Sequence, residues 1–293
     1  MYAFLLAPFI DFYFMKSALI GLILLSISAC PTGVFLMLRR MSLTGDAISH
    51  AILPGVAAAF LFCGLSLISM TLGGILAGII VAIATALISR NSIQTEDASM
   101  TVFYLIALAT GVIIVSLKDS TIGLLHLLFG SVLAIDIQSL YLITAIMLIT
   151  VSCLCIFWRA LVVESFDSSF FQSLSPLSKY THISLLGLVV LNLVSGFQSL
   201  GTLLSIGIMM IPAITARFWF SRVSSICIFS IFLGIISSVC GLLLSFHLSI
   251  PSGPSIIIAA GIIYLFSSII SPRGLIATRF SHLFAYFPPT IRK

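Results

Sequence analysis

Charge is what this chain has least of: charged residues occupy 7% of its 293 positions, with thirteen Lys and Arg set against eight Asp and Glu. So few polar groups cannot solvate a globular surface, and 60% hydrophobic residues at a mean hydropathy of +1.29 call for a cover other than water. A soluble enzyme or nucleic-acid-binding domain is thereby excluded, and no nucleic-acid partner is expected despite the net charge of +5. None of the four lysines follows a glycine, so the chain has no phosphate-cradling Gly-Lys-Ser/Thr loop and is not expected to hydrolyse ATP by that route. Its only glutamates, Glu96 and Glu164, are expected in loops, and no His-Glu pair exists, which removes the H-E-x-x-H arrangement of a zinc protease. No glycine-flanked serine motif supports an intramembrane serine protease. The six cysteines follow no disulfide or metal spacing; Cys153 and Cys155, two apart on a helix, point to different faces, and all six read as small packing residues. A cleaved signal peptide is not expected, because Asp11 interrupts the first apolar stretch and no basic residue precedes it. Pro8, Phe9, Phe12, Tyr13 and Phe14 read instead as an interfacial lead-in to the first span.

What the chain has in abundance is long apolar runs. They cover about 15–38, 47–68, 70–89, 99–117, 137–161, 180–200, 202–220, 224–246 and 253–270. These exceed the length of a barrel strand and do not alternate with period two, so the fold class is all-α: one polytopic transmembrane domain over 1–293. Nine spans are expected, with eight as the alternative count and lipid as the surrounding partner. With the N-terminus outside and the C-terminus cytoplasmic, Arg39, Arg40, Arg90, Arg159, Lys179, Arg217, Arg222, Arg273, Arg279, Arg292 and Lys293 all fall on the cytoplasmic side. Only Lys16 and Lys118 are left outside. The apolar piece 122–133, which carries His126, is too short to cross and reads as an external re-entrant or interfacial helix. Gly74 and Gly78 form G-x-x-x-G, extended by Gly73, and predict close helix contact.

Pro31, Pro54 and Pro212 fall inside apolar runs, where each frees the carbonyl four residues earlier. For Pro54 that carbonyl belongs to His50, which lies on one helix face with Asp46, four residues before it. A carboxylate and an imidazole at the head of a membrane helix suit divalent zinc, manganese or iron better than an alkali ion. Two side chains do not close a cage, so completion would come from the His50 carbonyl, water, another span, or a symmetry mate across a dimer. The plainer alternative makes Asp46 an N-cap after Thr44-Gly45 and His50 a helix-to-helix hydrogen bonder. The charge map also sets Asp46 nearer the cytoplasm than the membrane midplane. Either irregular backbone dips inward before the helix, or these groups act near the exit. On the same side, a loop at about 162–179 carries the polar segment Glu164–Pro176, in which Phe166, Phe170, Phe171 and Leu174 share one side of a short helix capped by Ser165 or Asp167. Such an aromatic face suggests partner docking, the alternative being a loop lying on the membrane surface.

The run Arg39-Arg40-Met41-Ser42-Leu43-Thr44-Gly45-Asp46-Ala47-Ile48-Ser49-His50-Ala51-Ile52-Leu53-Pro54-Gly55 resembles the R-R-M-x-L-x-x-D-A-[IL]-S-H-[AS]-x-L-P-G string of the ABC-3 family, the permease subunits of bacterial ABC importers for zinc, manganese and iron. Four further segments agree in order: Thr95–Ala98, Val163–Asp167, Met209–Arg217 and Leu248–Pro254. The resemblance, which extends over essentially the whole chain, implies a multi-pass protein of the bacterial cytoplasmic (inner) membrane. It implies a second permease copy or paralogue, separate cytoplasmic ABC ATPase subunits that use the ATP, and an external solute-binding protein that delivers the metal. It carries over Asp46 and His50 as pathway ligands for a transported ion, with no permanently bound cofactor. The loop bearing Phe166, Asp167, Phe170, Phe171 and Leu174 becomes the coupling helix to the ATPase. His126 and His247, outside on the charge map, match no motif and are candidates for the mouth where metal enters. His182 and His282 read as interfacial residues on the cytoplasmic side. A metal channel or an ion-coupled carrier without an ATPase is the competing class.

Overall fold

Without water to satisfy them, the backbone groups of the apolar runs close on themselves as α-helices, and in the computed structural model every expected run is helical. The structure describes residues 7–64, 66–91, 93, 95–116, 135–167, 170, 171, 173 and 177–274. In chain order the helices are α1 (Ala7–Asp11), α2 (Tyr13–Leu38), α3 (Thr44–Ala51), α4 (Leu53–Cys63), α5 (Leu67–Asn91), α6 (Glu96–Ser116), α7 (Ile137–Phe166), α8 (Leu177–Leu200), α9 (Thr202–Arg217), α10 (Val223–Leu248) and α11 (Ser252–Ile270). Among the described residues eight helices are long and apolar enough to cross a membrane, α3 and α4 together making one of them. The ninth run, α9, has 16 residues, about 24 Å of rise against a hydrocarbon core of about 30 Å. It begins at Gly201, whose φ of 94° stops α8, and ends where the chain turns at Phe218–Phe220. The expected re-entrant piece with His126 lies outside the described residues, as do Leu174 and His282.

Two helices organise the packing. In α2 and in α8, 72% of the most apolar window is buried, against 22% in α6 and α7. The first pair therefore forms the interior, and the second presents side chains such as Ile106, Ile113, Leu148 and Ile156 to lipid. Helix α2 packs against α7, α8, α9 and α10, while α8 also reaches α3 and α5. In lipid, close contact rather than hydrophobic exclusion holds helices together, and glycine marks where backbones meet. A methyl at Gly33 of α2 would overlap the Met209 carbonyl of α9, and Gly55 of α4 and Gly73 of α5 face each other's carbonyls. The expected G-x-x-x-G works as packing: Gly74 lies under Ile52, Val56 and Val194, and Gly78 under Ile52 and Val190.

The prolines are accommodated individually. Pro212 frees the Ile208 carbonyl, and the Cys30 thiol of α2 reaches it at 3.3 Å, so Cys30 does more than fill space. At Pro54 the run is divided into α3 and α4, with Ile52 between them. Ile52 keeps helical dihedrals (φ −74°, ψ −28°) with its N–H on the Ile48 carbonyl, so the ladder is interrupted while the chain stays helical.

The described basic residues Arg39, Arg217, Arg222 and Arg273 gather at the helix ends that face one side of the bundle, and Lys16 lies at the opposite end of α2. Arg273, past α11, donates to the Phe220 carbonyl at 3.0 Å and to the Ser221 hydroxyl, tying together two turns on the basic side.

Candidate functional site

Helix α2 ends at Leu38 with Arg39 as C-cap, and Arg40 takes the left-handed conformation (φ 60°). The Arg40 N–H bonds the Met37 carbonyl and the Met41 N–H bonds the Leu36 carbonyl, the two bonds of a Schellman motif. Thr44 N–H then bonds the Met41 carbonyl and α3 begins at once. No stretch of irregular backbone dips inward ahead of Asp46. Packing holds the head of α3 in place. Met209 lies against Gly33 through its carbonyl and against Gly45 through its methyl, and Gly33 stands six residues inside Arg39, about 9 Å along α2. His50 lies one turn further along α3 than Asp46.

Along α3 the buried positions Ala47, Ile48 and Ala51 face the bundle, leaving Asp46 and His50 together on the other face. The His50 Nε2 stands 3.8 Å from Asp46 Oδ1, with the side chains 37% and 62% exposed. Asp46 does not cap the helix: Leu43 is the N-cap residue and no side chain caps it. Among the described residues the carboxylate faces only His50. The imidazole packs beside Tyr104 of α6, ring centroids 6.3 Å apart, and its buried Nδ1 has no hydrogen-bond partner among the described residues. Two metal bonds of about 2.1 Å would bridge the 3.8 Å gap at an angle of about 130°, an open, two-donor geometry. No group of three or more His, Cys, Asp or Glu able to hold a metal occurs among the described residues.

His247 is not brought to this pair. It lies in the last turn of α10, whose Phe246 packs against Phe12 at the start of α2, so the length of α2, 26 residues or about 39 Å, separates it from Arg39. Its Nδ1–H donates to the Leu243 carbonyl at 2.9 Å, an ordinary helix-end bond.

The loop expected from Val162 onward starts later. Glu164, Ser165 and Phe166 form the last turn of α7, because no breaker intervenes and the charge of Glu164 is met inside the protein. Asp167 ends α7 and its Oδ1 accepts the Phe170 N–H at 2.9 Å, making it the cap of the next turn. The Ser165 hydroxyl instead bonds back to Leu161 at 2.7 Å. Phe166 and Phe170 are exposed and Phe171 is half-buried.

The feature unread in the sequence lies just above this segment. Arg39, assigned there only a topological role, has a side chain 9% exposed, and its Nη2 stands 3.4 Å from Oε1 of Glu164, which is 1% exposed. The same Nη2 lies 2.6 Å from His182 Nδ1. A guanidinium only donates, so Nδ1 accepts and His182 is the neutral Nε2–H tautomer. The Ser178 hydroxyl donates to the same Glu164 oxygen at 3.5 Å. His182 is accordingly buried between helices rather than interfacial. One signal was available: a glutamate ending an apolar helix needs a partner, but the partner stands 125 residues away.

Residues 11–271 match the ABC-3 family, the ABC 3 transport family. The manganese import system permease protein ScaB of Streptococcus parasanguinis is 34% identical over 273 residues, 92% of this chain and 96% of that one. The chelated iron transport system membrane protein YfeC of Yersinia pestis is 31% identical over 284 residues, 94% of this chain and 92% of that one. Among solved structures, PsaBC from Streptococcus pneumoniae in complex with Fab superposes with a TM-score of 0.83 at 32% identity, covering 97% of this chain and 100% of that one. The chain belongs to the ABC-3 family and is a multi-pass membrane permease of the ABC transport type.

Proposed function

We propose that this chain forms the translocation path of an ATP-driven importer of divalent manganese or iron, with zinc compatible with the same donors. The observation that carries the reading is the Asp46–His50 pair, one oxygen and one nitrogen donor 3.8 Å apart on the open face of an otherwise packed membrane helix. Relatives named as manganese and chelated-iron permeases support the choice of cargo. Two donors from this chain hold an ion weakly enough to release it. A second permease, identical or a paralogue, would add its own donors across a shared path. The metal is cargo and no cofactor stays bound. An external solute-binding protein would deliver it, and cytoplasmic ABC ATPases would dock on the segment bearing Phe166, Asp167, Phe170 and Phe171, in the bacterial cytoplasmic membrane. ATP-driven closure of those subunits would move this segment and rock the helices between outward-open and inward-open states.

Co-purification tests the reading against a channel or ion-coupled carrier. The tagged chain should bring down an ATPase, and vesicles holding the complex should take up Mn²⁺ only with ATP; uptake without either would overturn it. Replacing Phe170 and Phe171 with Ala should weaken ATPase docking by about 2 kcal/mol or more, the scale of buried aromatic anchors, measured as ATPase retained on the tagged permease. Unchanged retention would leave the segment a membrane-surface loop.

A further inference from the structure

We infer that Arg39, Glu164 and His182 form a buried transmission clasp, joining both stems of the coupling segment to the head of the metal-pathway helix. The inference rests on the importer reading above. Glu164 ends the stem that enters the segment, three residues before the Asp167 cap. Ser178 and His182 begin the stem that leaves it, in the first turns of α8. Arg39 belongs to neither stem: it caps α2 and is connected to Asp46 by the hydrogen-bonded turn at Arg40–Met41 and the first turn of α3. One guanidinium nitrogen contacts the carboxylate at 3.4 Å and the imidazole at 2.6 Å, and one carboxylate oxygen takes both Arg39 and Ser178. A displacement of the coupling segment that carries its stems therefore draws on the buried Arg39 guanidinium, which both stems contact.

The chemistry favours transmission over mere cohesion. A buried ion pair is a poor source of net stability compared with apolar packing, but it enforces one geometry and strongly penalises separation. Apolar side chains at these three positions would hold the helices together while allowing them to slide. Arg39, Glu164 and His182 are thus positioning residues, acting on the pathway through the backbone turn at 39–44.

The test uses the complete complex, reconstituted with the ATPase that co-purifies with the tagged chain, and reads ATP hydrolysis and Mn²⁺ uptake together. Glu164→Gln and His182→Leu should assemble and hydrolyse ATP near the unmodified rate while Mn²⁺ moved per ATP falls about tenfold, the scale of residues on a coupling route. His182→Asn, whose carbonyl oxygen can replace Nδ1 as acceptor, should restore most of that ratio. An unchanged ratio in Glu164→Gln and His182→Leu, or uptake and hydrolysis falling in equal proportion, would overturn the clasp. Should Glu164→Gln fail to assemble, the comparison of His182→Leu with His182→Asn decides alone. If the unmodified complex shows no ATP-dependent uptake, the importer reading fails; if it transports and the variants keep its ratio, only the clasp fails.

Discussion

Asp46→Ala and His50→Ala each abolish metal-dependent uptake while the permease stays folded and assembled. Both side chains are substantially exposed on α3 and neither caps the helix, so truncating them opens no cavity in the core. The loss is large because the chain offers two donors in place of a closed set. Changing outer-shell partners alone costs about 10–100-fold in metal affinity, and removing a ligand should exceed about 100-fold. The double variant should be no worse than either single one, since both remove the same ion. Uptake of radioactive Mn²⁺ into cells or vesicles, normalised to surface-assembled permease, checks this. Full uptake by either single variant would return the pair to an ordinary helix-surface contact.

Gly33→Ala is expected to cost about 2–3 kcal/mol of stability, read as thermal denaturation of the detergent-solubilised protein. Its methyl group would overlap the Met209 backbone carbonyl, and a carbonyl cannot rotate away as a side chain can. Separation of α2 from α9 would stretch the Cys30 contact to Ile208 and withdraw Met209 from Gly45. Gly187→Ala provides the control: nothing lies within 4 Å of its added methyl group, and alanine is the better helix former by about 1 kcal/mol. Equal stability of the two variants would mean that α2 and α9 are not in backbone contact.

The spans were legible because a hydrocarbon core demands runs of set length, and eight of the nine runs each fall mainly in one helix of similar limits, the exception being 47–68. Their ends were legible only where polar residues stop them. Gly64 (φ 71°) closes α4 inside a run expected to continue to Ile68, because a left-handed glycine between apolar neighbours leaves no trace in hydropathy. Glu164 was placed in a loop because charge was read as exposure, whereas Arg39, 125 residues distant, neutralises it inside. The half-legible cases are the prolines. Sequence told which carbonyl Pro212 releases, but only the fold brings Cys30 to it. At the candidate site, spacing placed Asp46 and His50 on one face, whereas the Met209 contacts to Gly33 and Gly45 join residues of three helices that no spacing relates.

The Schellman turn after α2 also joins two helices mechanically. Three backbone bonds over residues 36–44, from Arg40 to Met37, Met41 to Leu36 and Thr44 to Met41, tie the start of α3 to the end of α2. The opposite ends of α4 and α8 terminate at Gly64 and Gly201, whose φ values of 71° and 94° are ones that glycine adopts without a Cβ penalty. Under the alternating access proposed above, a displacement of α2 would therefore be expected to carry the head of α3, and with it Asp46 and His50.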